Sequence, residues 1–263
     1  MSDLRPLERC GAALALVLAV LSGGAALAAE GCLEGAAEVH LAEIVDARSL
    51  RLDDGRVLRL AGIEPFDLLR PDLGDAKPAL RRRLSQLAEA APLSALLTSS
   101  DTDRYGRHPA MIAASGTLMQ ESLAGEGLAV AFAGGDALPC FDRVLAAEDA
   151  ARRSGRGFWT GEPLPAAAPE ALRPRIGLFT IFEGEVLSVG KRSTRTYLNF
   201  GTYWSEDVTV EIDARDRGAF GGEPELAALA GRRLRVRGYL EEKAGPMMPV
   251  RSPMQLEILQ QDE

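Results

Sequence analysis

The chain has 263 residues and a formal charge of −8, and hydrophobic residues make up 46% of it. This length predicts one large or two small domains, and the hydrophobic content is that of an ordinary globular protein. The acidic balance excludes a basic field over the whole surface that would attract nucleic acid, but it permits an enzyme with a locally basic cleft.

The N-terminus has the pattern of a secretory signal peptide. Arg5 and Arg9 precede an apolar run at 12–21, and Ala26-Leu27-Ala28 fits a cleavage site. The run is about ten residues long, which is too short to span a hydrocarbon layer of about 30 Å. We therefore expect residues 1–29 to be removed, leaving an exported protein, periplasmic or secreted, with no stable membrane span. An uncleaved anchor is the alternative.

Three cysteines are present in the sequence. Cys10 lies in the signal segment, so Cys32 and Cys140 would remain in the exported chain. An oxidising compartment favours their pairing, and we expect a disulfide between them. Two free thiols are the alternative.

A hairpin of two strands follows. Leu50 and Leu52 alternate with Arg51, which is typical of a strand with one buried face. The triplet Asp-Asp-Gly at 53–55 favours a tight turn, and a mostly buried strand is predicted at 57–63.

Charged residues collect at one end of this hairpin. Carboxylates occur at Asp46, Glu64 and Asp67, and Arg59 lies inside the second strand. A hairpin that gathers carboxylates and an arginine is suited to phosphate or metal chemistry. The alternative is a plain hairpin with solvated charges.

The remaining periodicity completes one domain at 30–160. Its other predicted elements are strands at 39–45, 93–98 and 107–114 and helices at 75–90, 117–125 and 139–154. This order predicts a mainly β protein with helices (α+β), in the form of an oligonucleotide-binding (OB) type barrel with packed helices.

A proline- and alanine-rich segment at 161–175 predicts a semi-rigid linker. The predicted elements beyond it are strands at 179–189, 196–201, 208–212, 232–240 and 254–259 and a helix at 223–230. This pattern predicts a second small OB-like β-barrel at 176–263.

Two motifs carry a family resemblance. Arg59-Leu60-Ala61-Gly62-Ile63 is followed by Asp103-Arg104-Tyr105-Gly106-Arg107, which precedes an apolar strand. Together they resemble the staphylococcal-nuclease (thermonuclease) family, over roughly residues 39–159. The resemblance implies an OB-type barrel with packed helices that hydrolyses phosphodiesters of nucleic acid with calcium. The second unit resembles the OB folds appended to some secreted thermonuclease-like proteins.

The resemblance also implies roles for individual residues. Arg59 and Arg107 match the two arginines that hold the phosphate, and Asp67 falls at the catalytic glutamate. Glu64 falls at the second calcium aspartate, and Arg48 falls at the first. The implied catalytic residues are thus Arg59, Asp67 and Arg107, and the implied binding residues are Arg48 and Glu64.

Arg48 is the main departure from the family pattern. It replaces a negative charge with a positive one beside the place of the ion, so the calcium ligand set is incomplete and we expect no cofactor. Two outcomes are open. Arg48 could substitute for the ion and hold phosphate beside Arg59 and Arg107. Alternatively, it could pair with Glu64 or Asp67, and the site would be catalytically inactive.

These observations give two functional hypotheses. The first is an exported thermonuclease-family homologue with a degenerate calcium site and weak or absent calcium-dependent activity. The second is a non-catalytic nucleic-acid- or protein-binding module on the nuclease scaffold. Nucleic acid is the expected partner, and the sequence identifies no protein partner.

Overall fold

The computed structural model describes residues 31–65, 76–89, 92–133, 138–203 and 205–259. These residues form 18 strands and five α-helices, so the predicted class, mainly β with helices, is confirmed. The expected signal segment lies outside the described residues. Within the described residues, no helix has the length and apolarity that a membrane crossing requires.

The first unit is built on a curled antiparallel sheet with one parallel pair. Its strands are β1 (Ala37–Val39), β2 (Leu41–Asp46), β3 (Ser49–Leu52), β4 (Val57–Leu60), β5 (Ile63–Pro65), β6 (Leu93–Leu97), β7 (Arg107–Ala114), β8 (Thr117–Leu118) and β9 (Ala129–Ala131). The main sheet has the order β1-β6-β7-β4-β3-β2, and β8 pairs with β7. Strands β4 and β7 run parallel, and β5 pairs separately with β9.

Three helices cover this sheet: α1 (Ala76–Glu89), α2 (Met119–Gly125) and α3 (Phe141–Arg153). Leu80 and Leu84 lie one turn apart on α1 and are fully buried. They share a core with Leu50 and Leu58, which lie on the inner face of the hairpin. The buried residues of the strands and those of α1 therefore belong to one hydrophobic core.

The second strand of the hairpin ends earlier than predicted. Gly62 has a positive φ of 78°, and a Cβ there would lie 3.1 Å from Leu138 and 3.3 Å from Phe141. Only glycine fits this turn without strain. The chain therefore turns after Leu60, and the next residues form the separate strand β5.

The second unit has two sheets around one core. Its strands are β10 (Leu164–Pro165), β11 (Phe179–Glu185), β12 (Ser188–Lys191), β13 (Arg195–Asn199), β14 (Thr209–Asp213), β15 (Arg233–Tyr239), β16 (Glu241–Glu242), β17 (Pro246–Val250) and β18 (Leu256–Ile258), with helices α4 (Pro169–Leu172) and α5 (Glu223–Ala227). The sheet orders are β10-β11-β15-β18 and β12-β13-β14-β17-β16. Phe182 lies on β11 and Phe200 directly follows β13 of the other sheet, and their ring centroids are 5.2 Å apart in the shared core.

The segment predicted to be a linker is packed instead. Strand β10 pairs in parallel with β11, and the N–H of Ala166 donates to the carbonyl of Glu183 at 2.7 Å. Ala166 and Leu172 are buried in the core of the second unit. Ala166 can approach β11 this closely because Gly184 has no side chain there. The division of the chain into two domains stays a prediction.

The two units also pack on each other. Val130, Phe158 and Trp159 of the first unit form one buried cluster with Phe179 and Ile181 of the second. Strands β11 and β15 therefore lie against the part of the first unit that contains β9.

The predicted disulfide is confirmed. Cys32 and Cys140 are bonded, with their Cα atoms 5.2 Å apart across 108 positions of sequence. The bond ties the start of the first unit to the beginning of α3, and it is compatible with an exported protein.

Candidate functional site

The hairpin places Arg48 beside Arg59. Ser49 lies opposite Arg59 in the β3–β4 pair, and the N–H of Leu60 donates to the carbonyl of Arg48 at 2.8 Å. The backbone N–H of Arg48 donates to Asp46 Oδ1 at 2.9 Å, which closes the turn between β2 and β3. Both guanidinium groups are thus presented at the same end of the hairpin.

Glu64 is brought to this place by β5. Its strand pairs with β9, where Glu64 lies opposite Val130. The preceding turn is held by the buried side chain of Gln120, which donates to the carbonyls of Ala61 at 3.3 Å and Ala110 at 2.8 Å. The Glu64 residue is only 4% exposed.

Glu64 accepts a hydrogen bond from Arg48. The distance from Arg48 Nη1 to Glu64 Oε2 is 2.6 Å, so the two side chains form a partly buried ion pair. Of the outcomes that the sequence leaves open, the structure has Arg48 bound to Glu64. Asp67, the other predicted acid, lies outside the described residues.

Arg107 is held by the turn that precedes β7. Asp103 Oδ1 accepts from the backbone N–H groups of Tyr105 at 2.9 Å and Arg107 at 3.1 Å. Its other oxygen accepts from Arg107 Nε at 2.8 Å, and Arg107 Nη1 donates to Ser49 Oγ at 3.1 Å. Burial alone would raise the pKa of Asp103, but these hydrogen bonds from Arg107 and Tyr105 lower it. Asp103 is therefore ionised and fixes the direction of Arg107.

Arg59 has no counter-ion among the residues that the structure describes. Among the described residues, no carboxylate pairs with Arg59, and its Nε is buried without a hydrogen-bond partner. Burial lowers the pKa of the Arg59 guanidinium, and repulsion from Arg48 lowers it further. A buried donor without a partner is costly, so this guanidinium is suited to receive an anion.

These side chains line one cleft of about 360 Å³, formed by Arg48, Arg59, Glu64, Asp103, Arg104, Tyr105 and Arg107. It contains four arginines and two carboxylates, so its local charge is positive although the whole chain is acidic. The guanidinium groups of Arg104 and Arg107 lie 4.8 and 5.1 Å from the ring centre of Tyr105. The cleft has the charge and the donors for a phosphate group.

Both carboxylates in the described part of the cleft are already engaged by arginines. Calcium requires several oxygen ligands, and the described residues contain no group of three or more His, Cys, Asp or Glu side chains that could hold a metal. Glu64 is bound by Arg48, and Asp103 is bound by Arg107.

Four of the five site residues predicted from the sequence lie together: Arg48, Arg59, Glu64 and Arg107. Their roles stay predictions. Asp103 was not among the predicted site residues, although it belongs to the motif that identified Arg107. No local signal in the sequence indicated Tyr239 of the second unit, although burial raises the pKa of its phenol and the charge of Glu64 raises it further.

A comparison with protein families gives one match. Residues 79–161 match the family described as staphylococcal nuclease homologue. The matched segment includes Arg107 and Cys140, but it begins after the hairpin that bears Arg48 and Arg59. A search of curated proteins gives no match. The family match shows that the chain contains a staphylococcal-nuclease-like domain.

Proposed function

We propose that this chain is an exported, nuclease-like protein whose arginine cleft binds the phosphate groups of nucleic acid without calcium. Calcium-dependent phosphodiester hydrolysis is weak or absent. The observation that carries the proposal is the ion pair between Arg48 and Glu64, beside which Arg59 is partly buried with no hydrogen-bond partner for its Nε. The signal-like N-terminus and the disulfide between Cys32 and Cys140 support export.

The charge of Arg48 opposes calcium directly. A calcium ion on Glu64 would lie 2.3–2.6 Å from its carboxylate oxygen, where Arg48 Nη1 is already 2.6 Å from the same carboxylate. Repulsion between a divalent ion and a guanidinium a few ångströms away is on the order of several kcal/mol. Arginine stays protonated in proteins, so no change of pH within the physiological range removes this repulsion.

Phosphate binding needs no metal in this arrangement. The planar guanidinium of Arg59 can donate two parallel hydrogen bonds to phosphate oxygens. Arg104 lines the same cleft, and among the described residues it has no carboxylate partner. An anionic ligand would therefore provide the hydrogen-bond acceptor that Arg59 Nε lacks.

The second candidate is a binding module without catalysis. Two of the three predicted arginines already have carboxylate partners, which favours this candidate: Arg48 is paired with Glu64, and Arg107 is paired with Asp103. Fewer free donors then remain to stabilise the charge that develops during phosphodiester cleavage. Asp67 would have to serve as the base for any hydrolysis. This candidate is supported if the protein binds nucleic acid but does not hydrolyse it, either with or without metal.

We predict that the protein without residues 1–29 does not bind calcium at this site, and that calcium does not stimulate cleavage of DNA or RNA. Titration calorimetry with calcium at millimolar concentration tests the first part. Nuclease assays with calcium and with chelator test the second.

Changing Ala47→Gly, Arg48→Asp, Glu64→Asp and Asp67→Glu together should create calcium binding, because it removes the repelling charge. Cleavage by the unaltered protein that stops on chelation would refute the proposal.

We predict that Arg59→Gln weakens binding of a short single-stranded oligonucleotide by roughly tenfold or more, since a hydrogen bond to a charged group is worth about 1.5–3 kcal/mol. Fluorescence anisotropy at fixed salt measures this. The matched control is Arg51→Gln, which removes the same charge from an exposed arginine of β3 that pairs with Glu43. Equal losses in the two variants would mean that only the overall charge matters.

A further inference from the structure

Tyr239 brings the second unit near Glu64, one of the residues that line the arginine cleft. It is the last residue of β15 and lies opposite Phe179 in the β11–β15 pair, with their ring centroids 5.5 Å apart. Phe179 in turn packs edge-on against Phe132 at 4.9 Å. The N–H of Phe132 donates to the carbonyl of Gly62 at 2.8 Å, in the turn that leads into β5 and Glu64.

A second set of contacts fixes the same strand. Arg237 lies two positions before Tyr239, and its Nη1 donates to the carbonyl of Ala131 at 2.9 Å. Ala131 is opposite Ile63 in the β5–β9 pair, next to Glu64. Strand β15 therefore approaches the carboxylate side of the cleft, and Tyr239 is held there by backbone pairing and ring packing.

The surroundings of the Tyr239 phenol agree with this position. Burial raises the pKa of the phenol, and the negative charge of Glu64 raises it further, while Arg48 and Arg59 act in the opposite direction. The phenol is therefore protonated at neutral pH. The residue is still 41% exposed, so part of its aromatic surface remains accessible.

We propose that Tyr239 forms an aromatic surface beside the cleft and stacks on a base of single-stranded nucleic acid whose phosphate is held by Arg59. Sites for single strands combine cationic groups for the backbone with aromatic rings for the bases. Tyr105 also borders the cleft, but its ring already packs against Arg104 and Arg107. The second unit thus selects a single strand over isolated phosphate. This inference rests on the proposed phosphate binding.

The test compares a base-bearing single strand with an abasic strand of the same length. Tyr239→Ala should weaken binding of the base-bearing strand roughly tenfold, because one stacked base contributes about that factor. Binding of the abasic strand should not change. Tyr239→Phe should keep the wild-type affinities, since it retains the ring. The matched control is Tyr203→Ala, which removes a more exposed tyrosine of the second unit.

The outcomes separate this inference from the proposed function. Equal losses for both strands, or no loss for either, would overturn the role of Tyr239 as a stacking surface while phosphate binding stands. Failure of the wild-type protein to bind even the abasic strand would overturn the proposed function and this inference with it.

Photo-cross-linking of the unaltered protein needs no variant that could misfold. A strand containing 5-iodouracil should cross-link to the peptide that contains Tyr239, identified by mass spectrometry. A cross-link map that omits this peptide would count against the inference.

Discussion

Replacing Cys32 and Cys140 together with serine is expected to lower the free energy of unfolding by about 2–5 kcal/mol. The bond closes a loop whose ends are 108 residues apart. In the chain-entropy model, a cross-link across a loop of about 100 residues raises the free energy of the unfolded chain by about 4.7 kcal/mol. Cys140 is 8% exposed, and Cys32 packs against the core of the first unit, so the substitution also loses packing.

Denaturant unfolding with and without reductant measures this effect. Reductant should lower the stability of the unaltered protein to that of the double variant, and it should leave the double variant unchanged. Thiol titration of the unfolded, unreduced protein without residues 1–29 should find no free thiol. A wild-type stability that does not respond to reductant would show that the bond contributes nothing.

The architecture of the first unit could be predicted because its signals are local. Leu50 and Leu52 alternate with polar residues, and Leu80 and Leu84 have helical spacing, so each pattern indicates one buried face. The strand end at Leu60 could not be predicted from periodicity. It depends on the close approach of Leu138 to Gly62, which is a contact between distant parts of the chain.

The sequence could predict which residues belong to the candidate site, but not how they pair with one another. The resemblance to the nuclease family indicated Arg48, Arg59, Glu64 and Arg107, and all four line one cleft. The choice of partner for each guanidinium depends on how the side chains are placed in three dimensions. Spacing in a sequence carries no such information, so the pairing of Arg48 with Glu64 stayed open.

No pattern in the sequence indicated the contacts between the two units. The segment at 161–175 has a linker-like composition, yet the small side chain of Ala166 fits closely against Gly184. Arg237 belongs to an alternating strand, which is equally typical of a solvated face. Its partner Glu148 is 89 positions away, so no local pattern could indicate the pair.

Replacing Arg237 with leucine should destabilise the protein by about 3–5 kcal/mol, the usual cost of leaving one member of a buried ion pair without its partner. Arg237 Nη1 lies 2.7 Å from Glu148 Oε1, and the two side chains are 3% and 4% exposed. Denaturant unfolding measures the change. The matched control is Arg233→Leu on the same strand, where an exposed arginine lies 3.5 Å from Glu183 and should contribute less than about 1 kcal/mol.

A second substitution separates the charge from the packing. In Arg237→Leu with Glu148→Gln, the neutral amide can still accept from the N–H of Ala131, as Glu148 does now. Much of the lost stability should return, because no unpaired charge remains buried. If the double variant is as unstable as Arg237→Leu alone, the ion pair is not the cause of the loss.

The same variant connects the second unit to the site. Arg237 and Glu148 together bond the carbonyl and the N–H of Ala131, the end of β9, and β9 pairs with the strand that bears Glu64. Loss of Arg237 removes one of these bonds and loosens the β5–β9 pair. Under conditions where Arg237→Leu remains folded, its affinity for a single-stranded oligonucleotide should therefore fall while that of Arg233→Leu does not. Unchanged affinity in folded Arg237→Leu would mean that the ion pair stabilises the fold without positioning the cleft.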